Sequence, residues 1–173
     1  PLWRRAWGYL AAQGTINPHF SPNYSVAGEI TQGLGIAHPI LSPLEISLGY
    51  RHLSYKTGDS ELLIPGLTIF LPFNVWLTEK LYYVPETGAL TLASRLTWRP
   101  TNRLQLFASG SFGTSGERIV ATQDLTRVSS HAIQGGITLP IADRLSLEAT
   151  GYYEDRGILS LRQGGSFSII YHW

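Results

Sequence analysis

His52-Leu53-Ser54, with Glu61 downstream, is the stretch of this chain whose residue types and spacing could make and break bonds. A serine hydroxyl becomes a nucleophile when a histidine within hydrogen-bond reach takes its proton, and a carboxylate can orient that histidine. Residues two apart on a strand share a face, so His52 and Ser54 meet the first geometric demand. The same three polar residue types also recur by chance at strand ends, and the expectation is that the chain is not an enzyme. His19, His38, His131 and His172 fall on separate connections or strand ends, without the spacing of a metal site. Cysteine is absent, which excludes thiolate ligation and disulfides, and no glycine-rich nucleotide motif occurs. Neither a metal nor a cofactor is expected.

A second chemistry is ionic. Glu29, Glu45, Arg51, Arg95, Arg99 and Glu148 each occupy the non-aliphatic phase of an alternating segment, in company with residues such as Thr31, Ser47, Thr97, Gln105, Ser109 and Gln134. An Arg or Lys on a lipid-facing surface at mid-membrane costs roughly 2–4 kcal/mol, so in a membrane these side chains must turn inward and line a lumen. A narrow lumen would be plugged by their mutual ion pairs and hydrogen bonds, whereas a wide one would be a permeation path. Glu79 and Lys80 are adjacent and cannot both face inward without a bulge.

The elements that would hold these residues are strands. Period-two alternation between Gly, Pro, Asn and Asp clusters predicts about ten strands of roughly 9–11 residues, long enough to cross a bilayer when tilted. They fall at residues 2–12, 24–35, 43–55, 62–71, 75–84, 89–99, 103–114, 129–140, 144–154 and 163–173. Leu44, Ile46, Leu48 and Tyr50 alternate with Glu45, Ser47, Gly49 and Arg51, and Leu90, Leu92, Leu96 and Trp98 alternate with Thr91, Ala93, Arg95 and Thr97. No stretch approaches the run of about 20 apolar residues that a membrane helix needs. With 18 Gly, 9 Tyr, 5 Trp and 14% charged residues in 173, the chain is unusual for a soluble domain. The net charge of +1, with bases scattered singly or in pairs, gives no argument for nucleic acid. Methionine is absent and residue 1 is Pro, so the sequence is expected to be a processed or excised piece.

Short turns at 71–74, 99–103 and 139–144, with a somewhat longer one at 36–43, are expected to alternate with longer polar loops at 13–23, 56–61, 114–129 and 154–163. Trp3, Trp76, Trp98 and Trp173 then fall at one set of strand ends. Tyr50, Tyr83 and Tyr153 fall toward the other, giving two aromatic membrane interfaces. A soluble β-sandwich or lipocalin-like barrel would also alternate, but gives no reason for tryptophans to share one edge.

The final strand, with Phe167, Ile169, Tyr171 and Trp173 at period two, resembles the recognition strand of bacterial outer-membrane β-barrels, which the barrel assembly machinery reads. The stretches Gly28-Glu29-Ile30 and Gly33-Leu-Gly35, Leu44-Glu45 through Gly49-Tyr50-Arg51 to Tyr55, and Trp76-Leu77-Thr78 to Tyr82-Tyr83-Val84-Pro85 resemble the YaiO-type outer-membrane β-barrel family. That resemblance spans roughly residues 18–115. It implies an all-β fold, a transmembrane antiparallel up-and-down β-barrel over residues 1–173. Because the family has additional amino-terminal strands, the ten visible here would belong to a larger barrel of about 12 or more. The implied location is the bacterial outer membrane, with outer-membrane lipid, the assembly machinery and periplasmic or outer-membrane proteins as partners. The implied role is a porin-like conduit or an anchor in a cell-envelope system, linked in some family systems to exopolysaccharide. Two alternatives accompany it: a structural barrel subunit of a multi-protein complex, and a lipid hydrolase using His52, Ser54 and Glu61, since lipid A deacylases carry a His-x-Ser pair with a later carboxylate.

Overall fold

In the computed structural model, residues 2–15, 22–56, 58–117, 126–142, 144–155 and 161–171 are described. They form ten strands: β1 (Ala6–Gly14), β2 (Tyr24–Gly33), β3 (Leu44–Tyr55), β4 (Gly58–Leu71), β5 (Val75–Val84), β6 (Ala89–Thr101), β7 (Leu104–Glu117), β8 (Thr126–Ala142), β9 (Leu145–Asp155) and β10 (Leu161–Tyr171). Each strand pairs antiparallel with its neighbour in sequence, giving one sheet in the order β1 to β10. Among the described residues the only other regular elements are two short 3-10 turns, Leu34–Ile36 and Pro39–Leu41. The expected all-β, up-and-down arrangement is therefore what the chain forms, with β1 and β10 as the two edges of the sheet.

Several boundaries differ from the alternation. β1 starts at Ala6 rather than residue 2, because Arg5 takes a positive φ of 55° and the Ala6 amide closes a turn onto the Trp3 carbonyl. The expected 56–61 loop is shorter, because β4 already starts at Gly58. Gly58, at φ 138°, permits the reversal there, so Asp59, Ser60 and Glu61 join the ladder opposite Ser54, Leu53 and His52. β7 and β8 reach Glu117 and Thr126, taking up much of the 114–129 loop, while the 34–43 connection carries both 3-10 turns. The contrast between short and long connections is consequently weaker than the sequence suggests. Pro100 and Pro140 sit at register shifts between Trp98 and Thr101 and between Pro140 and Ala142, and the β4–β5 ladder is interrupted at Pro65. Proline has no amide hydrogen to give the ladder, so each shift falls where pairing is already weak.

The registers sort side chains onto two faces. One row runs Tyr9, Glu29, Gly49, Ile64 from β1 to β4, and another runs Thr97, Phe107, Gly136, Thr150 from β6 to β9. The opposite face carries Leu10, Leu48, Leu67, Leu96, Ile133 and Phe167. Burial is inverted relative to a water-soluble sheet. Thr31, Thr97, Ser146 and Glu29 on the polar face are 3%, 3%, 5% and 7% exposed, whereas Leu10, Leu48, Ile133 and Ile169 on the apolar face are 90%, 63%, 64% and 68% exposed. The sheet thus curls toward its polar side and leaves an apolar surface uncovered across its breadth.

Candidate functional site

The polar face contains two differently built regions. In the first, Glu29 Oε2 on β2 accepts hydrogen bonds from Lys80 Nζ on β5 at 2.6 Å and from the Tyr9 hydroxyl on β1 at 3.3 Å. β2 and β5 lie three strand steps apart, roughly 14 Å along a flat sheet, so the pair closes only because the sheet curls. Gly49 and Gly66 leave the path open. A Cβ on Gly49 would sit 3.5 Å from Glu29 Oε2, and one on Gly66 would sit 2.5 Å from Ser47 Oγ and 3.4 Å from the Lys80 stem. Thr31, one step along β2, has a buried Oγ1 without a partner among the described residues.

In the second region a stack crosses three strands. Gly136 on β8 lies under Phe107 on β7, since a Cβ at Gly136 would approach Phe107 Cζ to 2.5 Å. Arg95 on β6 then lies over the Phe107 ring, with Cζ 3.9 Å from its centroid. Nearby, Arg99 donates to Gln105 Oε1 at 3.0 Å and lies over Trp76 at 5.8 Å. Of these residues, Trp76, Arg95 and Gln105 border a partly open cavity of about 500 Å³. Its lining includes Lys80, Arg95, Tyr82, Ser111 and Gln134, and no carboxylate.

Glu29, Glu45, Arg51, Arg95 and Glu148 lie on this face by register, and Arg99 reaches it through Gln105 and Trp76. Among the described residues, Glu29–Lys80 is the one ion pair; Glu148 instead accepts from Thr138 Oγ1 across the β8–β9 ladder at 3.2 Å. Lys80 and Tyr9 were not singled out as site residues. For Lys80 the signal was the Glu79-Lys80 adjacency, resolved here without a bulge in β5. Lys80 takes the polar face, and Glu79 takes the apolar one, where Ser94 Oγ donates to it at 2.6 Å.

Aromatic placement is mixed. Trp98, Tyr50, Tyr83, Tyr153, Phe167 and Ile169 lie on the apolar face. Trp76, beside the turn that opens β5, instead shares the polar face with Thr78 and Lys80, and its ring is engaged by Arg99. Trp3 precedes β1, and its Nε1 donates to Gln32 Oε1 at 2.6 Å. Tyr171 ends β10, its side chain and Trp173 lying outside the described residues, as do His19 and His172.

The His52, Ser54 and Glu61 side chains do share a face, the apolar one, at the end of β3 and start of β4. His52 is directly opposite Glu61, while Ser54 is opposite Asp59 and Tyr24. Each member is otherwise engaged or sheltered. The Glu61 carboxylate lies near the Tyr50 hydroxyl, the His52 ring packs against Tyr24 at 5.8 Å, and Ser54 is 9% exposed. No hydrogen bond joins the three among the described residues, and no group of three metal-binding side chains occurs there.

The architecture defines a class: an antiparallel meander of ten strands with a polar concave face and an apolar outer face. Compared with models of known protein families and with curated proteins, the chain matches none of them.

Proposed function

We propose that this chain is the membrane-spanning part of an outer-membrane β-barrel of the YaiO type, acting as a conduit or anchor in a cell-envelope system. The observation that carries the reading is the inverted burial. Side chains such as Thr31 and Glu29 are enclosed while Leu10, Ile133 and Ile169 are bare. Contiguous bare apolar surface marks contact with a membrane or a protein. In hydrocarbon every backbone polar group must be paired within the protein, which requires the edges β1 and β10 to be satisfied by closure or by further strands. Conduit function places ions and solutes on the polar face, among Glu45, Arg51, Arg95, Arg99 and Glu148.

The absence of cysteine gives a clean test. Single cysteines placed at Leu48, Ile133 or Phe167 in the membrane-embedded protein should resist a water-soluble maleimide, while cysteines at Ser47 or Ser109 should react. Equal labelling of both sets would remove the membrane reading.

A second reading, ester hydrolysis at the outer face, is favoured by one observation: strand pairing sets His52 opposite Glu61 with Ser54 on the same face. Unchanged lipid A and unchanged ester hydrolysis after Ser54→Ala would eliminate it.

A further inference from the structure

We infer that the cavity bordered by β5 to β8 is a binding site for an anionic, hydroxyl-rich solute, a sugar acid or sugar phosphate, with Arg95 as the group that holds the oxyanion. The inference rests on the reading that the polar face is a water-filled interior. Of the two cations lining the cavity, Lys80 already has its charge answered by Glu29 at 2.6 Å. Arg95 has no ion-pair partner among the described residues. Its guanidinium is instead laid on the Phe107 ring, itself 6% exposed and seated over Gly136. Such stacking fixes the plane of the guanidinium without consuming its N–H edge, and that edge matches a carboxylate or phosphate with two parallel hydrogen bonds. The cavity's size, about 500 Å³, lies in the range of small-molecule sites, roughly 300–1,000 Å³. Around Arg95 the lining supplies donors and acceptors for hydroxyl groups from Thr78, Ser109, Ser111 and Gln134, and an aromatic face from Tyr82. A lining with cations and no carboxylate repels metal ions and cationic solutes, so charge selects the class.

The test is calorimetric titration of the full chain, folded in detergent micelles, with three probes: trigalacturonic acid, its fully methyl-esterified counterpart and glucose 6-phosphate. Binding of the acid about tenfold or more tighter than the ester is expected, because only the acid offers an oxyanion. Arg95→Gln should bring the acid down to the ester's affinity, Arg95→Lys should retain part of the difference, and Arg144→Gln, away from the cavity, should leave it unchanged. Preference for trigalacturonic acid identifies the carboxylate as the recognised group, and preference for glucose 6-phosphate identifies the phosphate. Equal binding of acid and ester without binding of glucose 6-phosphate, absence of binding by both anionic probes, or an unaltered affinity for the bound anion in folded Arg95→Gln would each overturn the proposal. The acid-against-ester comparison needs no variant. Because micellar binding does not depend on the maleimide pattern, failure here leaves the membrane reading standing, and failure there is seen separately.

Discussion

The two flanks of the polar face solve the same problem in opposite ways. Between β1 and β5 one pair of charges is brought together and answered: Glu29 receives Lys80 and Tyr9 across a lane cleared by Gly49 and Gly66. Between β6 and β8 the charge is displayed, since Arg95 is propped on an aromatic floor and faces an open cavity. Glycine serves both designs, at Gly66 by letting a long side chain pass and at Gly136 by letting a ring lie flat. The difference teaches that a polar interior need not be uniform: one part holds the sheet in its curl, and the other leaves a cation free to meet a ligand.

The largest effect should come from breaking the enclosed flank. Lys80→Ala strands Glu29, which is 7% exposed, and removal of one partner of a buried pair costs about 3–5 kcal/mol. Urea unfolding of the refolded chain should register a loss toward the lower end, because the Lys80 side chain is 26% exposed. The double variant Glu29→Leu, Lys80→Met should recover most of that loss, since a buried ion pair often gives little net stability over apolar groups of like volume. A double variant as unstable as Lys80→Ala would mean the pair does more than neutralise itself.

How far this division could be read beforehand follows from what period two reports. Alternation assigns a residue to a face, so Glu29, Glu45, Arg51, Arg95, Arg99 and Glu148 were legible as one set, and the meander was legible from turns such as Leu71-Pro-Phe-Asn74. Alternation does not report which strands a curl brings together. Lys80 reaching Glu29 depends on two intervening glycines and on curvature, neither of which leaves a local pattern. Trp76 shows the same limit from another side, because its phase, shared with Lys80, puts it on the polar face but does not report that Arg99 engages its ring. The 56–61 segment departs from its composition for a backbone reason. Polar composition suggested a loop, but Gly58 allowed Asp59, Ser60 and Glu61 to pair with β3.

An intermediate effect should come from disturbing the floor of the open flank. Gly136→Ala places a methyl 2.5 Å from Phe107 Cζ and 2.8 Å from the Ala149 carbonyl, so the ring or the strand must shift. Overpacking of this kind costs about 1–3 kcal/mol. Gly151→Ala, one strand over with nothing within 4 Å of the added methyl, is the matched control and should change stability little. If both substitutions cost the same in urea unfolding, the close approach of ring to backbone is not what Gly136 provides.

The smallest effect should come from the charge that the open flank displays. Arg95→Gln removes a cation whose described intramolecular contact is the Phe107 ring, and an exposed cation–π contact contributes about 0.5–1 kcal/mol. The enclosed Lys80 and the displayed Arg95 are both single positive charges on the same face, so the ratio of their unfolding costs measures the asymmetry between the flanks directly. A cost for Arg95→Gln equal to that of Lys80→Ala would show that Arg95 is also structural, its charge spent inside the fold. A cost within the cation–π range leaves its remaining N–H groups free to act on whatever enters the cavity, because interactions already committed to holding the sheet cannot also be offered to a ligand.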